Sequence, residues 1–249
     1  MENKKKQHIL LAVPYYSQRL DVKDPFWRSR SCGIAALAMA MEFEQRNHYV
    51  FWRVSRPKRP SDPNDRIVRA GAWFARSARA QVETLSESRR GERGKPKDRE
   101  GFVAGTLQQL IHEGNSIGAR DPKYGWIHDG LVGLAKRHGF GKSFRKEWDL
   151  RKIKNPSPRQ TEQSATNALR HIVVLLQNNL PVLASVKTKE GGHLVLLVGF
   201  QNAARRGKTS EGFYYHDPDA RSRRGGAFRF ISKTQFLKRW KGRIIVVKK

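Results

Sequence analysis

The chain has one cysteine, few acidic residues and no long apolar run, and each shortage excludes a class of structure. One cysteine among 249 residues rules out an intramolecular disulfide and a zinc site built on several thiolates. No stretch approaches the ~20 apolar residues of a membrane-spanning helix. The lysines near the start precede only a short apolar run, residues 9–13, which is too short for a signal peptide. We therefore expect a cytoplasmic protein without a transmembrane segment.

The shortage of acidic residues leaves a large positive charge. Fifty Lys and Arg residues face 22 Asp and Glu residues, a formal net charge of +28. Such a charge attracts nucleic acid, anionic surfaces or acidic substrates non-specifically. Scattered basic residues on solvated faces would give the same composition, and no zinc-finger, RNA-binding or stacking motif accompanies them. The charge alone therefore identifies no partner.

Regular structure is predicted on both sides of a basic stretch. Apolar periodicity predicts helices over residues 32–43, 105–112, 127–138, 161–178 and 232–240. Short β-rich segments predict strands over residues 8–16, 181–187, 192–200, 212–216, 226–231 and 243–248. Helices followed by a run of strands indicate an α+β fold in a single domain, residues 1–249. The stretch 47–100 is rich in Arg, Lys and Pro and is interpreted as an insertion, with a helix over residues 67–84.

Cys32 stands directly before the predicted buried helix. A side chain at a helix N-terminus lies near free backbone N–H groups and the positive end of the helix dipole, and both stabilise a thiolate. Gly33 beside it allows another part of the chain to approach closely. A lone cysteine is most often a small buried hydrophobe, so Cys32 by itself does not establish a nucleophile.

His193 and Asp217 are candidates for a base and the carboxylate that orients it. His193 begins an apolar strand after two glycines, and Asp217 follows the strand of residues 212–216. If these strands pair antiparallel, across a loop of residues 201–211, the two side chains meet at one edge of the sheet. Taken separately, His193 could be a core histidine, and Asp217 before Pro218 could be an ordinary turn residue.

Two further interpretations concern polar residues near this edge. Gln18 lies fourteen positions before Cys32, and its amide could donate to an oxyanion, although a Gln after a strand is usually a surface residue. His216, Asp217 and Asp219 with His193 could be imagined as metal ligands. Neighbouring strand residues point to opposite faces, however, so His216 and Asp217 should not share a site. No metal or cofactor is expected.

Several segments in this order resemble the C39-like cysteine peptidases, a papain-like family of bacterial proteins. The segments are VPYYSQ, then SCGIAALAM, GGHLVLLVGF, GFYYHDPDA and ISKTQFLKRWKGRIIVV, and the resemblance covers residues 10–46 and roughly 101–249. It implies a helical half that carries the cysteine, packed against an antiparallel sheet that carries the histidine. It also implies a catalytic triad of Cys32, His193 and Asp217, with Gln18 in the oxyanion hole.

Two hypotheses from different classes follow. The first is a cysteine hydrolase, a peptidase that acylates Cys32 with His193 as general base and acts on a peptide or protein substrate; acyl transfer is its variant. The second is a basic binding protein on the same scaffold, with vestigial catalytic residues, that uses its charge on nucleic acid or anionic surfaces.

Overall fold

A buried helix and an antiparallel sheet supply most of the core. The computed structural model describes residues 7–53, 105–148, 158–189, 191–205 and 208–249. Its helices are α1 (Cys32–Arg53), α2 (Gly105–Ser116), α3 (His128–Arg137), α4 (Pro158–Gln177), α5 (Arg223–Gly226) and α6 (Lys233–Arg239). Its strands are β1 (Gln7–Leu10), β2 (Arg120–Asp121), β3 (Gly125–Trp126), β4 (Phe144–Glu147), β5 (Val182–Thr188), β6 (Gly191–Arg205), β7 (Lys208–His216), β8 (Arg229–Ser232) and β9 (Trp240–Val246). A short 3-10 helix, Trp27–Ser29, precedes α1.

Seven strands form the main sheet, in the order β4-β9-β5-β6-β7-β8, and β1 also pairs with β6. All the strand pairs described are antiparallel. The long strand β6 organises the sheet, since it pairs with β5, β7 and β1. Strands β2 and β3 form a separate hairpin. The predicted α+β class with an antiparallel sheet is confirmed.

The first three turns of helix α1 are buried because they are apolar on every face. All side chains from Ile34 to Met41 are fully buried, and the small alanines among them let neighbouring elements pack closely. These residues belong to one hydrophobic core with the central strands β5, β6 and β9. The prediction of a helix buried on most sides is confirmed, and the core fixes the position of its first residue, Cys32.

Some predicted boundaries are wrong. The segment of residues 201–211 is not a loop, because β6 continues to Arg205 and pairs with β7 from Lys208 onward. Backbone hydrogen bonds between two strands need no apolar side chains. A hydrophobic pattern therefore does not predict the polar end of this hairpin. The first strand ends at Leu10 instead of residue 16. Residues 223–226 are helical, and the final strand begins at Trp240.

The structure divides into two units, residues 1–44 with 102–249, and residues 45–101. The predicted basic insertion at 47–100 and its helix over residues 67–84 lie outside the described residues, except for the end of α1. The single domain interrupted by an insertion therefore stays a prediction. Within the described part of the chain, no helix combines the length and apolar character needed to span a bilayer.

Candidate active site

Cys32 is the first residue of α1. The residue before it, Ser31, accepts the first hydrogen bond of the helix, from Ala35 N, and its buried hydroxyl donates to Trp27 O at 2.8 Å. Because the first N–H groups of a helix have no partner within it, they point toward the Cys32 end. The Cys32 side chain is only partly buried. The core thus holds Cys32 at a helix N-terminus, where the residue keeps some accessible surface and lines a cleft.

Gly33 is favoured by the close approach of the β2–β3 hairpin and of α3. A Cβ at this position would lie 3.0 Å from Trp126 Cβ and 3.2 Å from Leu131 Cδ1. Trp126 also donates from its indole N–H to Arg30 O at 2.6 Å. Glycine after the cysteine therefore lets Trp126 pack against the start of α1, as the sequence interpretation of a close approach predicted.

His193 lies near the beginning of β6, opposite Val186 of β5. The strand starts at Gly191, which faces Thr188 across the turn and has a φ of 130°. This backbone conformation strongly favours glycine. The His193 side chain is 12% exposed, so its ring is held between the sheet and the region of Cys32.

The pairing of β6 with β7 brings Asp217 to His193. Leu196 of β6 pairs with His216, the last residue of β7, so Asp217 follows directly at the edge where β6 begins. Asp217 Oδ1 lies 2.8 Å from His193 Nε2. His193 is also hydrogen-bonded to the Cys32 side chain, which leaves Nδ1 to face the sulfur. The side chains of His193 and Asp217 therefore meet at one edge of the sheet, as predicted.

The three groups shift one another's pKa values. Burial raises the pKa of the Cys32 thiol, but the hydrogen bond and charge of His193, with backbone hydrogen bonds from Leu194 and Gly33, lower it overall. Burial lowers the pKa of His193, but hydrogen bonds to Asp217 and Cys32 raise it to about 10. The arrangement therefore favours a thiolate beside an imidazolium at neutral pH.

Asp217 is held by several donors besides His193. Arg229 Nη1 lies 2.7 Å from Oδ2, and Asp219 N donates to Oδ1 at 3.1 Å. Tyr15 Oη donates to the Asp217 backbone carbonyl at 2.7 Å. Burial raises the pKa of the Asp217 carboxyl, but His193, the Asp219 backbone N–H and the charge of Arg229 lower it overall. The carboxylate is thus ionised and fixed in orientation.

His216 faces away from this site. Its Nε2 lies 3.1 Å from Val13 O, and its Nδ1 accepts from Phe228 N at 3.0 Å. Both ring nitrogens are therefore used by backbone groups, as expected for a strand neighbour that points to the opposite face. Among the described residues, no group of three or more His, Cys, Asp or Glu side chains could hold a metal ion.

Gln18 is buried, with 2% of its surface exposed. Its backbone N donates to Pro218 O at 2.8 Å, and its Nε2 donates to Asp219 Oδ1. Arg19 Nε also binds Asp219 Oδ1, at 2.6 Å. The segment after Asp217 therefore joins the segment that carries Gln18. The role of Gln18 in an oxyanion hole stays a prediction.

A cleft of about 760 Å³ opens on the Cys32 and His193 side chains. The β2–β3 hairpin forms one wall, with the exposed ring of Tyr124 and the buried ring of Trp126. The start of β6 and strand β9 contribute further residues, among them Gly192 and Arg243. Neither this wall nor Arg229 was predicted from the sequence. Asp121-Pro122 and Gly125 are turn signals that could have indicated the hairpin; no local signal marks Arg229.

Comparison with known proteins gives a family but no individual relative. A search of the curated proteins finds no match. The model of the Peptidase_C39 like family matches residues 10–243, a range that includes all the candidate residues described above. The chain therefore belongs to the Peptidase_C39 like family.

Proposed function

We propose that the protein is a cysteine peptidase that cleaves a peptide or amide bond through a thioester acyl-enzyme on Cys32. One observation carries the proposal: His193 is hydrogen-bonded to the Cys32 side chain on one side and to Asp217 on the other. A nucleophile, a base and an oriented carboxylate in this order are the parts that covalent acyl transfer requires. The cleft gives a substrate access to them.

In the acylation step, the Cys32 thiolate attacks the substrate carbonyl carbon and forms a tetrahedral intermediate. The His193 imidazolium then protonates the leaving amine as the C–N bond breaks, which leaves a thioester on Cys32. Asp217 keeps the ring in the required orientation and stabilises its positive charge. The position of Cys32 at the helix N-terminus, lining the cleft, supports this role.

The oxyanion needs hydrogen-bond donors beside the sulfur. The Cys32 backbone N–H belongs to the first turn of α1, whose N–H groups have no helical partner. We assign the second donor to Gln18 Nε2, which uses one hydrogen on Asp219 and keeps another. Asp219 would then be a positioning residue that fixes the amide.

In the deacylation step, neutral His193 takes a proton from water, and the resulting hydroxide attacks the thioester. As the C–S bond breaks, the acid product leaves and the Cys32 thiolate beside the His193 imidazolium is restored. An amine that enters in place of water would give acyl transfer by the same steps. Product analysis by mass distinguishes the two outcomes.

The family match and the architecture both support the peptidase. Membership of the Peptidase_C39 like family favours it over a basic binding protein with vestigial catalytic residues. A buried helix that begins with the cysteine, beside an antiparallel sheet that carries the histidine, supports the papain-like arrangement as part of this proposal.

Thiol labelling tests the activated pair directly, because Cys32 is the single cysteine and intact mass reports on it alone. We expect iodoacetamide to alkylate Cys32 rapidly at about pH 6, and His193→Ala to abolish the rapid reaction. Labelling no faster than that of a free thiol of pKa ~8.5 would contradict the proposal. Substrate profiling with a peptide library, compared with Cys32→Ala, then tests turnover.

A further inference from the structure

The wall of the cleft beside Cys32 is strongly cationic. Five Lys and Arg side chains line it, and they come from three separate segments: Arg30, Arg120, Lys123, Lys241 and Arg243. No Asp or Glu is among the described residues that line this cleft. We propose that the cleft binds peptide segments with Asp or Glu side chains next to the scissile bond. This inference rests on the proposed peptidase function and names its substrate class.

Three of the five cations are held by groups that leave their charge uncompensated. Arg30 donates to Phe26 O at 2.9 Å, and its guanidinium lies 4.4 Å from the centre of the Phe26 ring. Arg120 lies 5.1 Å from the centre of the Trp27 ring, and its buried Nε has no hydrogen-bond partner among the described residues. Backbone carbonyls and aromatic rings orient a cation without neutralising it.

Lys123 completes this group at the rim of the cleft. Its Nζ lies 5.3 Å from the centre of the exposed Tyr124 ring. The nearby carboxylate of Asp121 accepts the backbone N–H groups of Lys123 and Tyr124, at 2.7 and 2.8 Å. That carboxylate therefore stabilises the turn, and within the described residues no ion pair joins it to Lys123.

The opposite side of the cleft is formed by β9. Arg243 is paired with Glu147 at 2.7 Å, so its charge is partly offset. Lys241 lies beside the start of β6, because its Nζ would lie 3.0 Å from a Cβ placed on Gly192, and both residues line the cleft. The segment before α1, the β2–β3 hairpin and β9 thus bring cations to the same cleft that Cys32 and His193 line.

These positions favour carboxylates on the substrate over amides of the same shape. Because the cations are partly exposed, each contact with a carboxylate is expected to improve binding by only about two- to five-fold. Two or three contacts together give a preference of ~10-fold for a Glu-containing segment over its Gln counterpart. The preference should decrease with added salt, since screening weakens exposed charge pairs.

Two degenerate decapeptide libraries, identical except that Glu in one is Gln in the other, provide the test. Binding to Cys32→Ala is measured by fluorescence anisotropy, so that the readout does not depend on turnover. We expect the Glu library to bind ~10-fold more tightly at low salt. Arg120→Gln with Lys123→Gln should remove most of this preference. Lys136→Gln with Arg137→Gln, on the exposed end of α3 outside the cleft, removes the same charge and should leave the preference in place.

The outcomes separate the two proposals. Equal binding of both libraries, or an equal effect of the two double variants, would overturn the acidic-substrate inference even if peptides are cleaved. Selective Glu binding without cleavage by unlabelled wild-type protein, in a preparation whose Cys32 proves fully reactive when a separate sample is labelled, would instead defeat the peptidase proposal. Displacement of the Glu library by a single-stranded oligonucleotide, dependent on Arg120 and Lys123, would assign the cleft to nucleic acid and reject the inference.

Discussion

Arg229 Nη1 lies 2.7 Å from Asp217 Oδ2, the carboxylate oxygen that His193 does not use. The same carboxylate therefore binds a histidine on one side and a guanidinium on the other. Arg229 is 45% exposed on its side chain, so solvent screens this pair and limits its energy. It positions the carboxylate without contacting the reacting atoms.

Arg229→Gln should therefore reduce activity only modestly. We expect kcat/KM on a peptide substrate to fall by less than ~10-fold, because a screened surface pair contributes little. The matched control is Lys238→Gln, which removes one exposed charge from α6 and leaves Asp217 untouched. A loss as large as that of Asp217→Asn would show that Arg229 has a direct catalytic role.

Asp217→Asn should change the pH profile as well as the rate. Burial lowers the pKa of His193, whereas Asp217 and Cys32 raise it to about 10. The imidazolium that protonates the leaving group is present below this pKa and is lost as pH rises through it. Without the carboxylate the alkaline limb of kcat/KM should move to lower pH, and the rate should fall by at least ~100-fold. An unchanged alkaline limb would show that Asp217 does not control His193.

Protonation of His216 should destabilise the fold below neutral pH. Burial lowers the pKa of His216 from 6.5 to about 4, and its Nδ1 must accept from Phe228 N. The unfolded chain therefore binds more protons between these values, so stability is present above pH 6.5 and is lost as pH falls toward 4. The expected loss between pH 7 and pH 5 is about 2 kcal/mol.

Urea unfolding of wild type and His216→Gln at both pH values measures this loss. The variant removes the titration, so its stability should change less between the two pH values, whatever its absolute stability. His193 contributes in the opposite direction, because its raised pKa stabilises the fold most fully below pH 6.5. That contribution is common to both proteins and cancels in the comparison. Equal losses would reject the assignment to His216.

Two glycines in α3 should respond oppositely to alanine. A Cβ on Gly130 would lie 2.4 Å from Ala119 Cα, whereas a Cβ on Gly133 would meet nothing within 4 Å. Gly130→Ala should destabilise the protein by about 1–3 kcal/mol, through overpacking against fixed backbone. Gly133→Ala should stabilise it by up to ~1 kcal/mol, through helix propensity. Thermal unfolding measures both, and destabilisation by Gly133→Ala would contradict the open space at that position.

The parts of the site that could be predicted have local signals. Cys32 stands before an apolar run long enough to form only a helix, and the glycines before His193 mark the start of a strand. Predicting that His193 and Asp217 meet required one further assumption, that β6 pairs with β7. This assumption is reasonable because strands adjacent in sequence usually pair.

The remainder depends on contacts between distant segments. The partner of Gln18, Asp219, is 201 positions away, and nothing near either residue indicates the contact. The cleft wall of β2 and β3 has only two residues in each strand, too few for an alternating pattern. The end of the β6–β7 hairpin is polar, so its backbone pairing leaves no hydrophobic signal.

Strand β9 lies inside the sheet, between β4 and β5, although it is the last strand in sequence. Strands β4 and β5 are translated much earlier. Strand β9 must therefore either insert between them or be present before they take their places in the sheet. During synthesis the sheet therefore cannot close until residue 246 has emerged from the ribosome. The same strand supplies Lys241 and Arg243 to the cleft. A nascent chain that already contains Cys32, His193 and Asp217 would thus lack both a finished sheet and two of the five cations of the cleft. Under the proposed function, such a chain would not cleave a peptide until this strand has joined the sheet.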